Sequence, residues 1–346
     1  MVETNARTLM ADAKFYEAYA RYDEETLTYE SWDTAVTRVI DMHKKRYQNI
    51  MTPELTDLLH VAQVAYSNKE HLGAQRALQF GGAQLLRNNA KLYNCTATYL
   101  DRVDFFKEAL YLMLSGCGIG FSVQTHHIAK LPSITNRTKS AKTFVVPDSI
   151  QGWADAVGVL VSSFFTADGD EDFRGRKIYF DLSKIRPKGS KISGGFKAPG
   201  PEPLRIALDK IELLIKAQLE LRHTRMSTIV AYDISMFMAD AVISGGVRRA
   251  ASICLFSKED QDMITAKTGD WFVSNPQRGR SNNSVVLLRE DTTKLEFHSI
   301  MDSVQHSGEP GFVWTDDLEI LFNPCVEVGM YAYDSEGKSG WQMCNL

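Results

Sequence analysis

Two neighbouring stretches set the architecture: Leu92-Tyr93-Asn94-Cys95-Thr96-Ala97-Thr98-Tyr99-Leu100, and Ser115-Gly116-Cys117-Gly118-Ile119-Gly120-Phe121-Ser122-Val123. The first is short, aromatic and β-branched, as a strand is. Residues 105–114 between them form an apolar run of helical length, and the second stretch is a glycine-rich turn running into another strand. Strand, helix, turn and strand within about 30 residues make a βαβ unit. Strands joined in this way lie parallel with a right-handed crossover. From residue 92 the chain therefore enters an α/β barrel or sheet.

Upstream, residues 1–90 read as a helical N-terminal region. Trp32, Val36, Val39 and Ile40 recur at helical spacing, and Thr52-Pro53-Glu54-Leu55 is a helix start with proline in the first turn. Downstream, Pro147-Asp148-Ser149-Ile150 opens a helix with capping chemistry. Lys177-Ile178-Tyr179-Phe180-Asp181-Leu182 reads as a strand, residues 183–200 as a basic loop punctuated by glycine, and residues 203–221 and 231–242 as helices. Residues 250–256 read as a buried strand, and Ser281-Asn282-Asn283-Ser284-Val285-Val286-Leu287 as another. Nothing repeats, and no linker divides the chain.

At 346 residues, with 44% hydrophobic and 24% charged residues, the chain can bury a sizeable core. A net charge of -4 gives no overall field to hold nucleic acid or an anionic membrane, so neither is expected as a partner. The N-terminus Met1-Val2-Glu3-Thr4-Asn5 is polar, and no 18 apolar residues run together, so a cytoplasmic location is expected. The five cysteines, Cys95, Cys117, Cys254, Cys325 and Cys344, lack CxxC spacing, which argues against a structural zinc site or a secreted disulfide framework. No metal site is expected from the eight histidines either. The neighbours His126 and His127 would point to opposite faces of a strand.

Gly118-x-Gly120 follows a helix, so it is not the dinucleotide fingerprint, which follows a strand. Three basic, glycine-containing loops, residues 184–197, 245–249 and 277–284 with Arg278 and Arg280, have the groups to cradle phosphate. Cys254 and Cys117 read as small buried hydrophobes. Cys325 differs. In Asn323-Pro324-Cys325-Val326-Glu327 it follows a proline at a loop tip, with Glu327 as a candidate base and Asn323 as a candidate positioning amide. Nucleophile, redox centre and radical carrier are all open to such a thiol.

The cysteine loop together with Cys344-Asn345-Leu346 resembles the catalytic subunit of ribonucleotide reductases. The likeness extends, in family order, through Tyr93-Asn94-Cys95 with residues 115–123, Ile243-Ser244-Gly245-Gly246-Val247-Arg248-Arg249-Ala250-Ala251, and Ser281-Asn282-Asn283-Ser284-Val285. Within that family the chain looks most like the adenosylcobalamin-dependent class II enzymes, especially the monomeric triphosphate reductases. The pointers are Asn94 before the cysteine, the Gly-Phe-Ser-Val strand, Pro147-Asp148-Ser149-x-x-Gly152-Trp153, and no room before the first helices for an ATP-cone domain. The fold implied is the N-terminal part of a ten-stranded α/β barrel over residues 91–346, with an effector-binding segment at about residues 145–250.

The resemblance implies that Cys325 is the thiyl site that takes the ribose 3′ hydrogen, that Glu327 takes the 3′-hydroxyl proton and that Asn323 holds a sugar hydroxyl. Cys95 and Cys344 would be the reducing pair, reopened by a thioredoxin-type reductant, and Asn94 and Gly118 would line the substrate site. Asp148, Ser149, Lys184, Arg186 and Lys191 would meet a dNTP or ATP effector, and Gly245, Gly246, Val247, Arg248 and Arg249 would couple it to the substrate base. Adenosylcobalamin would be held largely by later residues, so a C-terminal reductase fragment is expected as a partner and the chain alone is expected to be inactive. Two positions depart from the family pattern: Val326, where glycine or serine is commoner, and Cys117, where glycine is usual. The alternatives are a class I large subunit served by a separate radical-generating subunit, and a non-catalytic dNTP-binding regulatory fragment. A glycyl-radical reductase fits less well, since Glu327 and the Cys95/Cys344 pair belong to thiol-driven chemistry.

Overall fold

The computed structural model describes residues 6–192, 197–243 and 251–345. It divides into two units, residues 1–94 with 345–346, and residues 95–344. In the first unit the helices α1 (Ala6–Ala18), α2 (Trp32–Arg46) and α3 (Pro53–Ser67) contribute to one apolar cluster containing Phe15, Val36, Val39, Ile40 and Tyr66. The expected helix start at Thr52 is made as the local chemistry dictates, and α2 opens on a similar cap. Ser31 accepts from Thr34 N-H at the head of α2, and Thr52 accepts from Leu55 N-H ahead of Pro53 in α3. Trp32 joins α2 to α3 by donating its indole N-H to the carbonyls of Tyr66 and Ser67.

The second unit is built on a six-stranded sheet. The strands β1 (Cys95–Tyr99) and β2 (Gly118–Ser122) flank the helix α4 (Phe105–Ser115), which is the expected βαβ unit. Gly116 takes φ 96° at the end of α4, the left-handed conformation that lets the helix stop and the chain turn into β2. Then come the four-residue helix α5 (Thr125–Ile128), β3 (Lys139–Val145), α6 (Ile150–Ser162), β4 (Arg176–Asp181), α7 (Glu202–Glu220) and α8 (Thr228–Ile243). β5 (Ser252–Ser257), β6 (Ser281–Leu288), α9 (Lys294–Ser307), β7 (Gly311–Thr315), the hairpin β8 (Leu321–Phe322) and β9 (Gly329–Met330), and β10 (Gln342–Cys344) complete the unit.

The sheet order is β10-β1-β2-β5-β6-β7, with β1 through β7 parallel and β10 antiparallel on the β1 edge. Strands β1, β2 and β5 are buried along their whole length, as expected for a sheet covered on both faces. The helix α4 covers one face with α6 and α8 against it, and Phe105 meets Phe121 there. β3 and β4 lie outside the main sheet as a separate parallel pair over Val159, Phe173 and Ile178. Sequence reading marks β4 but not β3, whose burial pattern is mostly exposed and so lacks a strong apolar signature.

On the other face lies an apolar cluster that includes Cys95, Ala97, Tyr99, Ile253, Leu255, Val286, Leu321, Met330 and Cys344. The β8–β9 hairpin is part of it. Along β2 the residues that alternate toward this face are Gly118, Gly120 and Ser122, so β2 offers a groove where other strands carry side chains. A Cβ on Gly120 would lie 1.9 Å from the Phe322 carbonyl oxygen, and one on Gly118 would lie 3.1 Å from Pro324 Cγ and 3.5 Å from Cys95 Sγ. Backbone touches backbone here, which only glycine permits. Gly120→Ala is expected to lower stability by about 1–3 kcal/mol, the usual cost of overpacking. Urea denaturation measures the loss, while the same change at open Gly340 leaves the midpoint in place.

Candidate active site

The β8–β9 loop holds residues 323–328. Asn323 is fully buried, its Oδ1 accepts the Val328 N-H at 3.1 Å, and the Val326 N-H donates to the Asn323 carbonyl at 2.8 Å. One amide thus closes the loop from within. Its Nδ2, buried as well, makes no hydrogen bond among the described residues. Pro324 is buried in the β2 groove, whereas Cys325, Val326 and Glu327 are exposed. Val326 has φ 63°, a strained value for a β-branched residue.

Cys95 and Cys344 are paired directly across the antiparallel strands β1 and β10. Residues so placed have Cα atoms about 4.5–5.5 Å apart, inside the range a disulfide spans. Both are reduced and nearly inaccessible, while Cys325 is exposed. Burial pushes the Cys95 thiol above its ordinary pKa, opposed by the nearby Asn323 side chain and reinforced by Cys325, Cys344 and Glu327. Cys344 is raised by burial, then by Glu327 and Cys325. Cys95, Asn323, Cys325, Glu327 and Cys344, separated by as much as 249 positions (344 − 95), therefore share one electrostatic neighbourhood. Raised thiol pKa values keep the buried pair protonated at neutral pH. Gly118 adjoins this group, and half-buried Asn94 precedes Cys95 in the chain. Cys117 and Cys254 are buried, as their apolar settings imply.

Of the candidate effector residues, Arg186 Nε donates to Asp148 Oδ2 at 2.6 Å, joining the start of α6 to the basic loop. The Ser149 hydroxyl caps α6 by accepting from Gly152 N-H. Lys184 lies close enough to Asp181 to help hold its carboxyl below the usual range, after the Ser183 hydrogen bonds. Lys191 bridges to Lys197 through the backbone. Gly245, Gly246, Val247, Arg248 and Arg249 lie outside the described residues.

Two expectations are corrected. The basic loop at residues 277–284 is committed internally: Arg278 clamps both carboxylate oxygens of buried Asp233, and Arg280 pairs with Asp240. A guanidinium closed on a carboxylate inside the fold does not wait for phosphate. His126 and His127 are not on opposite faces of a strand, because β2 stops at Ser122 and the chain turns into α5. Both rings reach Glu319, at 2.9 and 3.1 Å. The anchorage of the cysteine loop went unread in the sequence. Gln124 Nε2 donates to the Leu318 carbonyl at 2.8 Å and the Tyr99 hydroxyl to the Glu319 carbonyl at 2.6 Å, holding the approach to β8. Glu319 carries no spacing signal, since its partners lie almost 200 residues upstream (319 − 127 = 192).

Comparison with known proteins shows what the chain resembles. The structure matches that of a B12-dependent, class II ribonucleotide reductase with a TM-score of 0.75 at 23% identity, covering 92% of this chain and 53% of that one. Its fold is therefore the α/β fold of that class. Residues 124–215 match the family described as the insertion domain of B12-dependent ribonucleotide reductase. Adenosylcobalamin-dependent ribonucleoside-triphosphate reductases are similar in sequence: that of Lactobacillus acidophilus is 27% identical over 95% of this chain and 55% of its own length. That of Lactobacillus leichmannii is 28% identical over 87% and 48%. The chain is thus similar, in part of its sequence and in its fold, to class II ribonucleotide reductases. The chain spans about half the length of the curated relatives it matches.

Two outcomes follow from this geometry. Mild oxidation with diamide should join Cys95 to Cys344 before either reaches Cys325, and peptide mapping under non-reducing conditions reads the linkage. Val326→Gly should raise stability by about 1 kcal/mol, because relief of strain of roughly 1–3 kcal/mol exceeds the entropic cost of glycine. A shifted urea midpoint measures it.

Proposed function

We propose that this chain forms the cysteine-loop part of an adenosylcobalamin-dependent ribonucleoside-triphosphate reductase, which replaces the ribose 2′-hydroxyl by hydrogen. The observation that carries the reading is the grouping of exposed Cys325 with Glu327, Asn323 and the buried cross-strand pair Cys95/Cys344.

A radical cofactor fits this donor set in one respect. Cys325 is the exposed thiol and the reducing pair is shielded, so an approach from outside meets Cys325 first. Adenosylcobalamin, when bound, supplies the acceptor that takes a hydrogen atom from such a thiol. Every other role falls to this chain. Cys325 breaks the 3′ C-H bond of the ribose and forms S-H. Glu327 accepts the 3′-hydroxyl proton, as a carboxylate within hydrogen-bond reach can. The Nδ2 of Asn323, which faces the Cys95 thiol, suits a sugar oxygen, since a buried donor is costly to leave unmade. One thiol of the Cys95/Cys344 pair protonates the departing 2′-hydroxyl, which leaves as water. The pair gives up its second hydrogen, as a proton, and two electrons to C2′ and closes to a disulfide; Cys325 returns hydrogen to C3′, and Glu327 returns its proton to the 3′ oxygen. Raised pKa values keep both thiols protonated ahead of that step. A thioredoxin-type dithiol would reopen the disulfide by exchange.

In this reading a dNTP or ATP effector binds within about residues 145–250, where Asp148, Arg186, Lys184 and Lys191 supply charge, and the 245–249 segment relays its identity to the substrate base. The later residues of the relatives, which this chain does not share, would supply most of the cobalamin contact. The enzyme would work in the cytoplasm. No helix among the described residues is long and apolar enough to cross a membrane.

The test joins this chain to a C-terminal reductase part and measures reduction of ribonucleoside triphosphates with a dithiol. Turnover should need adenosylcobalamin, vanish with Cys325→Ser, and fall by about 10²–10⁴-fold with Glu327→Gln, the usual worth of general-base catalysis. Dependence on a di-metal radical-generating subunit in place of cobalamin would point to a class I enzyme. Binding of dNTPs without turnover, indifferent to Cys325→Ser, would point to a regulatory fragment.

A further inference from the structure

Beyond the cysteine loop, one cluster brings together three metal-ligating side chains. His126 and His127 on α5 and Glu319 ahead of β8 place one nitrogen or oxygen each within 4.8 Å of the others. Nε2 of His126 lies 2.9 Å from Glu319 Oε1, and Nε2 of His127 lies 3.1 Å from Oε2. Donor atoms that share a zinc ion at about 2.0–2.2 Å stand roughly 3–3.5 Å from one another, the separation of each imidazole nitrogen from the carboxylate here.

The two rings meet the carboxylate differently. His126 Nε2 is shut off from solvent and makes no hydrogen bond, although Glu319 Oε1 is near. His127 is fully buried, with the Ser122 hydroxyl 2.9 Å from its Nδ1 and its Nε2 hydrogen-bonded to Glu319 Oε2 at 3.1 Å. A partner on the second ring nitrogen is the usual support of a ligating histidine. Tyr333 also faces the Glu319 carboxylate, and Lys130 stands behind it, 2.8 Å from the Tyr333 hydroxyl. His126 and Glu319 are each about one-third exposed, which leaves a way in for an ion.

We propose that His126, His127 and Glu319 bind one divalent transition-metal ion of the zinc class, completed by water. Two imidazoles and a carboxylate are a donor set that such ions accept. The ion ties the turn after β2 to the segment that reaches Cys325 six residues after Glu319, and so braces the cysteine loop from the side opposite its tip.

The test uses the full chain carrying Cys325→Ser, freed of metal by chelation, then titrated with Co2+ and with Zn2+. One equivalent of Co2+ should give the visible bands of a four- or five-coordinate site without a thiolate charge-transfer band, and Zn2+ should raise the melting temperature. His126→Ala and Glu319→Gln, both at partly exposed positions, should each weaken binding by more than about 10-fold, the loss known for even an outer partner of a ligand. Their far-ultraviolet circular dichroism checks that they fold. The proposal is overturned by no uptake at micromolar metal, by affinity unchanged in both variants, or by a thiolate band that places the ion at Cys95 and Cys344.

Discussion

The second unit depends on an absence of side chains. Gly118 and Gly120 leave the inward face of β2 bare, and the Phe322 carbonyl and Pro324 ring occupy the space that two Cβ atoms would take. A hairpin of two-residue strands has little stability of its own in water. It is held because Leu321 and Met330 join the sheet's apolar cluster and because Asn323 closes the loop from inside. Remove the groove and the hairpin has no seat. With the groove present, a thiol is carried out beyond the apolar layer while its neighbours stay buried.

The same packing sorts the thiols chemically. Cys95 and Cys344 sit within the cluster that holds the hairpin, so desolvation favours their neutral form. Cys325 lies past the proline and outside that layer. Identical side chains thus stand in different surroundings, one open to solvent and two enclosed. Elsewhere the sheet is supported by polar groups that are paired, not merely covered. Asp233 takes Arg278 through both oxygens, and Lys267 takes Glu309, each pair having at least one nearly inaccessible member. Such pairs hold α8 and the approaches to β6 and β7 in one register, because a buried charge without its partner would be strongly destabilising.

Much of this was legible in the sequence where local chemistry decides the outcome. The β1-α4-β2 unit follows from a strand, an apolar run and a glycine turn, and the caps at Thr52 and Ser149 follow from residue type and position. Cys325 could be singled out by its proline and carboxylate neighbours, but its chemistry could not, because Cys95 joins it only through the fold. β3 escaped notice because it packs outside the main sheet and carries lysines on a largely exposed ribbon. The histidine pair was misread because alternation was carried past Ser122, where the strand has ended. Arg278 and Arg280 looked like anion ligands because their partners, Asp233 and Asp240, lie about 40 residues upstream on α8 (278 − 233 = 45; 280 − 240 = 40).

The register of β10 on β1 has a topological side. A bond between Cys95 and Cys344 would enclose all the intervening residues of the second unit in a single covalent ring. By chain-entropy reckoning a ring of that size disfavours the unfolded chain by about 5 kcal/mol. The oxidised protein would then be the hardier form and the reduced one the more easily opened. Each return of the pair to thiols would loosen the same scaffold that seats the cysteine hairpin.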